Sequence, residues 1–271
     1  PLTIGYWGIK GLGELADLLL TSQVLSTLNG TQKAHGLGEK KATLNTAYPN
    51  LPFIDHDGFI LTESGAIPWY IARKYRNDLA GNSAEEEAQI HQVIGVVTDI
   101  RNEIFKAIFN PDYKTALTTA AASGKLPDKI AALSKGLGDG HFFVGGHVTI
   151  ADVVAAYFIH FINIVYSSAE VESPFTHHAN IVAFESHFWT LPELQATLLL
   201  MLEETSHATN YAPMAQILNP KDLPKPTRVL TNQIISNTCS NSAFFRNANL
   251  LLPLLDSGVW GLGFGVWGLG D

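Results

Sequence analysis

The segment from Thr149 to Val165 restricts the fold more than any other. Thr149-Ile150-Ala151-Asp152 has the form of a capping box, in which the first and fourth residues satisfy each other's open backbone donors at a helix start. The residues that follow, Val153 to Val165, are apolar nearly all round. A helix of that kind must be enclosed on every side, so it is the expected centre of a helical domain. Helices to enclose it are at hand. Ile90, Val93, Ile94, Val97, Ile104, Phe105 and Ile108 fall at three-and-four spacing along one long helix, which Asn110-Pro111-Asp112 ends. Further helices are expected at about 181–189 and 191–204.

The first eighty residues follow another rhythm. Leu2, Ile4 and Tyr6 alternate with Thr3, Gly5 and Trp7 as a strand, and Glu14 to about Leu28 reads as a helix with Leu15, Leu18, Leu19 and Leu25 inward. Phe53-Ile54-Asp55 and Phe59-Ile60-Leu61 flank His56-Asp57-Gly58, a hairpin signal. Ser64 offers an N-cap to a helix through Ile67, Tyr70 and Ile71 to about Lys74. The region reads βα(β)αββα. The expected organisation is an α/β domain at 1–80, an all-helical domain at 83–207 and an irregular extension at 208–271. Proline punctuates that extension, which ends in two copies of Gly-Val-Trp-Gly-Leu-Gly, at 258–263 and 265–270.

Composition closes off several functions. Seventeen Lys plus Arg against twenty-five Asp plus Glu give a net charge of −8. No basic cluster stands out, so nucleic-acid binding is not expected. The single cysteine, Cys239, excludes a disulfide framework and a Cys-x-x-Cys or four-ligand zinc site. The ten histidines show no ligand spacing, and no metal is expected. No unbroken run of 18 apolar residues is present, so no transmembrane helix is expected. No signal-peptide pattern precedes the first strand, and the expected location is cytoplasmic, or an organelle if a targeting segment has been removed. Charged residues are only 15% of the chain, against roughly 25% in most soluble domains. That shortage fits either a surface partly covered by partners or a chain unusually apolar for its class.

The ordered motifs resemble those of glutathione transferases of the tyrosine type, most nearly the mu-class and helminth enzymes. The resemblance is carried by Gly5-Tyr6-Trp7 with Ile9-Lys10-Gly11-Leu12, by Pro49-Asn50-Leu51-Pro52, by Leu61 to Ile67, and by Tyr70 to Lys74. Val97 to Arg101, Phe109 to Tyr113 and the box at Thr149 continue it, over about residues 1–205. It implies a thioredoxin-like N-terminal domain, a helical C-terminal domain and a homodimer that conjugates glutathione, its co-substrate, to small electrophiles.

The resemblance also assigns roles. Pattern alone favours a Tyr6 that closes the edge of a core strand; the resemblance makes it the residue that stabilises the glutathione thiolate, the nucleophilic form of a thiol. Leu51-Pro52 resembles a cis-proline corner that presents backbone to the tripeptide. Ser64, with the helix start, would receive the γ-glutamyl carboxylate; a plain capping serine is compatible with that. Trp7, Leu12, Asn50, Glu63 and Lys41 would complete the glutathione set, although Lys41 is as readily a solvated lysine. Asp99 would reach a partner's glutathione across a dimer, or else pair with a nearby base on the helix surface. Trp7, Leu12, Phe105 and Phe109 would line the electrophile pocket, or simply be core. Several departures stand out. Glu63 replaces the usual glutamine, Leu37 or one of its neighbours falls where a tryptophan is usual, and Phe109 replaces a tyrosine. The rival reading is a transferase-like structural subunit that docks in a larger assembly through residues 209–271.

Overall fold

Alternation at the N-terminus does what it predicts. Leu2 and Ile4 are buried on one side of strand β1 (Leu2–Tyr6). The structure, a computed structural model, describes residues 2–6, 11–21, 32–35 and 41–192. These all fall in one compact unit, Pro1–Leu223. After β1 comes helix α1 (Glu14–Thr21), which turns Leu15, Leu18 and Leu19 inward; Leu25 lies outside the described residues. Strand β2 (Gln32–His35) returns parallel to β1, with Thr3 opposite Gln32 and Tyr6 opposite His35.

Strands β3 (Phe53–His56) and β4 (Phe59–Thr62) form the expected hairpin. Its two-residue turn is tighter than the three-residue loop the pattern suggested. Asp57 and Gly58 both have positive φ, 53° and 89°, as a type I′ turn needs. Asp55 Oδ1 accepts the Gly58 N–H at 2.9 Å. The sheet order is β2-β1-β3-β4, with β3 antiparallel to β1. The helix anticipated between β2 and β3 is, among the described residues, only a turn of 3₁₀ helix at 41–43.

Helix α2 (Ala66–Tyr75) follows. Its N-cap is Gly65, not Ser64. Glu63 adopts a left-handed φ of 77°, and its carbonyl accepts the N–H groups of both Ala66 and Ile67. The backbone therefore closes the helix start, and Ser64 is left in the turn before it. Pro68 is the third residue of α2, within the first turn, where its missing N–H costs nothing.

The helical half is built around two long helices. Helix α3 (Ala84–Ile108) starts at Ser83, whose side chain accepts the Glu86 N–H at 3.2 Å. It buries Ile90, Val97, Ile100, Ile104 and Ile108 along one stripe. Pro111 prevents its continuation, and Asp112 caps helix α4 (Tyr113–Ala122). Helix α5 (Lys125–Leu137) packs on α3 and α4. The apolar segment is helix α6 (Ile150–Ser168), packed against α3, α7 (Ala179–Phe188), α1 and α2. By length and composition it is long and apolar enough to cross a membrane, although Asp152, His160 and Asn163 interrupt its apolar run. Here its surface is buried inside the fold. The capping box is formed: the Asp152 carboxylate accepts the Thr149 N–H and hydroxyl, each at 2.7 Å, and the Phe143 N–H at 2.8 Å.

Candidate functional site

Tyr6 ends β1 beside the loop that leads into α1, and two contacts fix it there. Its Oη accepts the Leu12 N–H at 3.1 Å, and the loop presses on its ring. A Cβ on Gly13 would come within 2.5 Å of the Tyr6 ring, so the loop approaches closely only because that residue is glycine. A second tyrosine braces the loop from the helical half: Tyr157 of α6 donates to the Gly11 carbonyl at 2.7 Å. A phenol that accepts a backbone N–H is polarised into a stronger donor. The arrangement suits an O–H that points its hydrogen bond at an anionic sulfur.

On the opposite side of the cleft stands the start of α2. Leu51 and Pro52 are joined by a cis peptide bond and are both buried. Asn50 and Glu63, two members of the expected glutathione set, are bonded to each other, Nδ2 to Oε1 at 2.7 Å. Ser64 is half-buried, and its hydroxyl makes no hydrogen bond among the described residues. Thr62 anchors the approach to this corner by donating to the Tyr48 carbonyl at 2.7 Å. Lys41 is exposed in the 3₁₀ turn. Trp7 lies outside the described residues.

The structure divides the residues expected around an electrophile. Leu12 and Ser64 line a cavity of about 40 Å³ with Thr98 and Arg101 of α3 and Phe158 of α6. Phe105 and Phe109 instead border an open groove of about 830 Å³ between α3 and α5, together with Asp99 and Lys129. Phe109 is half exposed, and the two rings meet edge to face at 6.3 Å. Asp99 takes the local option: Lys129 donates to it at 2.6 Å. That pairing holds its carboxyl below the usual range. The large groove is rimmed with charges; the small cavity is lined by Leu12, whose N–H bonds to Tyr6.

Arg101 closes the Val97 to Arg101 motif, and the resemblance assigns it no role. It connects the two regions, with its guanidinium carbon 5.9 Å from the Phe105 ring centre and 5.5 Å from that of Phe158. Burial pushes its pKa down, and the nearby Tyr6 oxygen, when ionised, pushes it back up. Arginine stays charged in either case. Tyr157 was also missed. Its partner is 146 positions away in sequence, and nothing local betrays such a contact.

Residues 98–198 match the family described as "Glutathione S-transferase, C-terminal domain". The chain is 30% identical over 166 residues to glutathione S-transferase Mu 5 of Homo sapiens, an alignment covering 57% of this chain and 73% of that protein. The chain belongs to the glutathione S-transferase family. A further mu relative, glutathione S-transferase Mu 4 of Rattus norvegicus, is 29% identical over the same shares of the two chains. The transferase fold recurs in the crystal structure of the glutathione S-transferase from Ascaris lumbricoides. That structure matches 73% of this transferase and 96% of its own chain, with a TM-score of 0.60 and 24% identity. The structure titled gluthatione S-transferase Blo t 8 matches at a TM-score of 0.62 and 20% identity, over 73% and 91% of the two chains. The small sheet with its helices is the thioredoxin-like N-terminal domain of this fold, and α3 to α7 make up the helical C-terminal domain.

Proposed function

We propose that this transferase conjugates glutathione to small electrophiles, with Tyr6 as the residue that stabilises the thiolate. One observation carries the reading: the Tyr6 oxygen at the end of β1 is held by the N–H of Leu12, and Leu12 lines a cavity together with Ser64. In the reaction the thiol proton leaves to water, the sulfur attacks the electrophilic carbon, and a leaving group such as halide departs with its electron pair. Each unit by which a hydrogen bond lowers the thiol pKa corresponds to about 1.4 kcal/mol of preference for the thiolate. Trp7, Lys41, Asn50, Leu51, Pro52, Glu63 and Ser64 would hold the tripeptide. In a homodimer, Asp99 would have to leave Lys129 to reach the partner's glutathione.

The test is calorimetric titration of glutathione together with an assay on an aryl halide, comparing the wild type with Tyr6→Phe. Binding of glutathione to both proteins, with kcat/KM lowered in the variant alone, supports the reading. No binding of glutathione at millimolar concentration would sink it.

A second reading, a structural subunit docked through residues 209–271, is favoured by Asn50 and Asp99 already being satisfied within the chain, by Glu63 and Lys129. Removing 209–271 separates the two: a truncated protein that keeps its turnover but leaves a larger complex has lost a tether, not a site.

A further inference from the structure

Two imidazoles from separate segments meet at the C-terminal end of α7. His141 stands in the loop that leads to α6 and is exposed; His187 is in the last turn of α7 and is half-buried. Their ring centres are 4.7 Å apart, with the planes tilted by 42°. Packing on either side holds both segments in place. Two residues further along the loop, the Phe143 N–H is bonded to Asp152 at the head of α6. The Phe143 ring meets Phe184, one turn before His187, edge to face at 4.9 Å. The Phe142 ring lies 6.0 Å from that of His187.

Neither histidine is committed elsewhere. Ring nitrogens of His56, His147 and His160 are bonded to protein groups. His141 and His187 make no side-chain hydrogen bond or ion pair among the described residues. Two imidazoles, the commonest metal ligands in proteins, therefore stand side by side with their nitrogens available. No third histidine, cysteine or carboxylate completes a set with them among the described residues, so water would fill the other positions on an ion.

The spacing selects the ion. An imidazole nitrogen binds a metal at about 2.0–2.1 Å and lies about 1.1 Å from its ring centre, so each centre falls about 3.2 Å from a shared ion. Centres 4.7 Å apart then subtend about 95° at that ion. This is close to the angle of about 90° between neighbouring ligands in square or octahedral coordination, and short of the ~109° of a tetrahedral zinc site. Geometry and the general order of affinity both favour Cu²⁺ among the first-row divalent ions, and the geometry puts Ni²⁺ next.

We propose that His141 and His187 form a two-imidazole site for a divalent transition ion, Cu²⁺ before Ni²⁺, and that the ion ties the loop before α6 to the end of α7. The site shares no residue with the one around Tyr6 and does not depend on the function proposed above. The probe is the metal alone, titrated into the full chain without glutathione in a buffer that does not chelate. The electron paramagnetic resonance signal of the first equivalent of Cu²⁺ is expected to show two imidazole nitrogens. Loss of even an outer-shell partner typically costs about 10–100-fold in metal affinity. His141→Ala and His187→Ala, which each remove a ligand, should therefore weaken Cu²⁺ by about tenfold or more in calorimetry, and each should leave one nitrogen in the signal. His178→Ala, in the loop before α7, should change neither. Ni²⁺ should slow amide exchange in residues 139–143 of the wild type and not of the two ligand variants. His141→Ala alters an exposed side chain, so it decides the outcome if His187→Ala does not fold. An unchanged Cu²⁺ affinity in His141→Ala overturns the proposal. So does a sulfur ligand in the signal of the first equivalent, which would put the ion on Cys239, the single cysteine. Tighter binding of Zn²⁺ than of Ni²⁺ overturns the assigned angle, and Ni²⁺ binding with no slowing of exchange overturns the tie.

Discussion

Asp152 offers the sharpest test of the energetics, because two strong effects oppose each other at one carboxyl. The side chain is fully enclosed, and burial pushes its pKa from 3.8 up to about 6, against the pull of hydrogen bonds from the Phe143 and Thr149 backbone and the Thr149 hydroxyl. A carboxyl held at about 6 binds its proton more tightly in the folded than in the unfolded chain. Its contribution is therefore fully present below pH 4 and is lost as the pH rises through 6. Between pH 4.5 and 7.5 the loss amounts to about 2 kcal/mol. Asp152→Asn cannot titrate, so the wild type minus Asn difference in unfolding free energy, from urea melts of the full chain, should fall by about that amount over this range. A difference that grew with pH would refute the reasoning and show that the three hydrogen bonds outweigh burial. Asp152→Ala removes the acceptor altogether. Two backbone donors are then orphaned at the head of the central helix, at a cost of about 3–5 kcal/mol near neutral pH.

Gly13→Ala places a Cβ within 2.5 Å of the Tyr6 ring and is expected to lower stability by about 1–3 kcal/mol and turnover with it, read by thermal melts and initial rates. Tyr157→Phe loses the bond to Gly11; a stability change of about 1 kcal/mol and faster amide exchange in residues 11–13 are expected. Ile104→Ala, at a fully buried position, should cost about 2–5 kcal/mol in urea unfolding. Lys129→Ala should leave the melting temperature unchanged, since it removes only an exposed ion pair.

Local signals carried much of the fold. Alternation placed β1, the Asp57-Gly58 pair placed the hairpin, and apolar spacing with caps placed α3 and α6. The misplaced cap shows the limit. A serine before an apolar run looks like an N-cap, but the left-handed backbone at Glu63 lets its carbonyl take the first two N–H groups instead. The site was legible as a set of residues and illegible as a set of contacts. Asp99 and Lys129 lie 30 positions apart, and Asn50 and Glu63 meet only because the hairpin folds back between them. Arg101 was visible as a residue, but its aromatic setting depends on α6 packing across α3.

The position of α6 along the chain has a consequence for biosynthesis. The helix that α1, α2 and α3 all pack against is encoded after every one of them. A nascent chain that has emerged only as far as residue 149 has α4 and α5 to set against α3, but nothing yet to cover the part of α3 that packs on α6. The ribosome therefore releases a sticky half-protein before it releases the part that completes it. A stop codon anywhere before α6 should yield aggregate, not a smaller folded domain, and the speed with which residues 150–168 follow sets how long that exposure lasts.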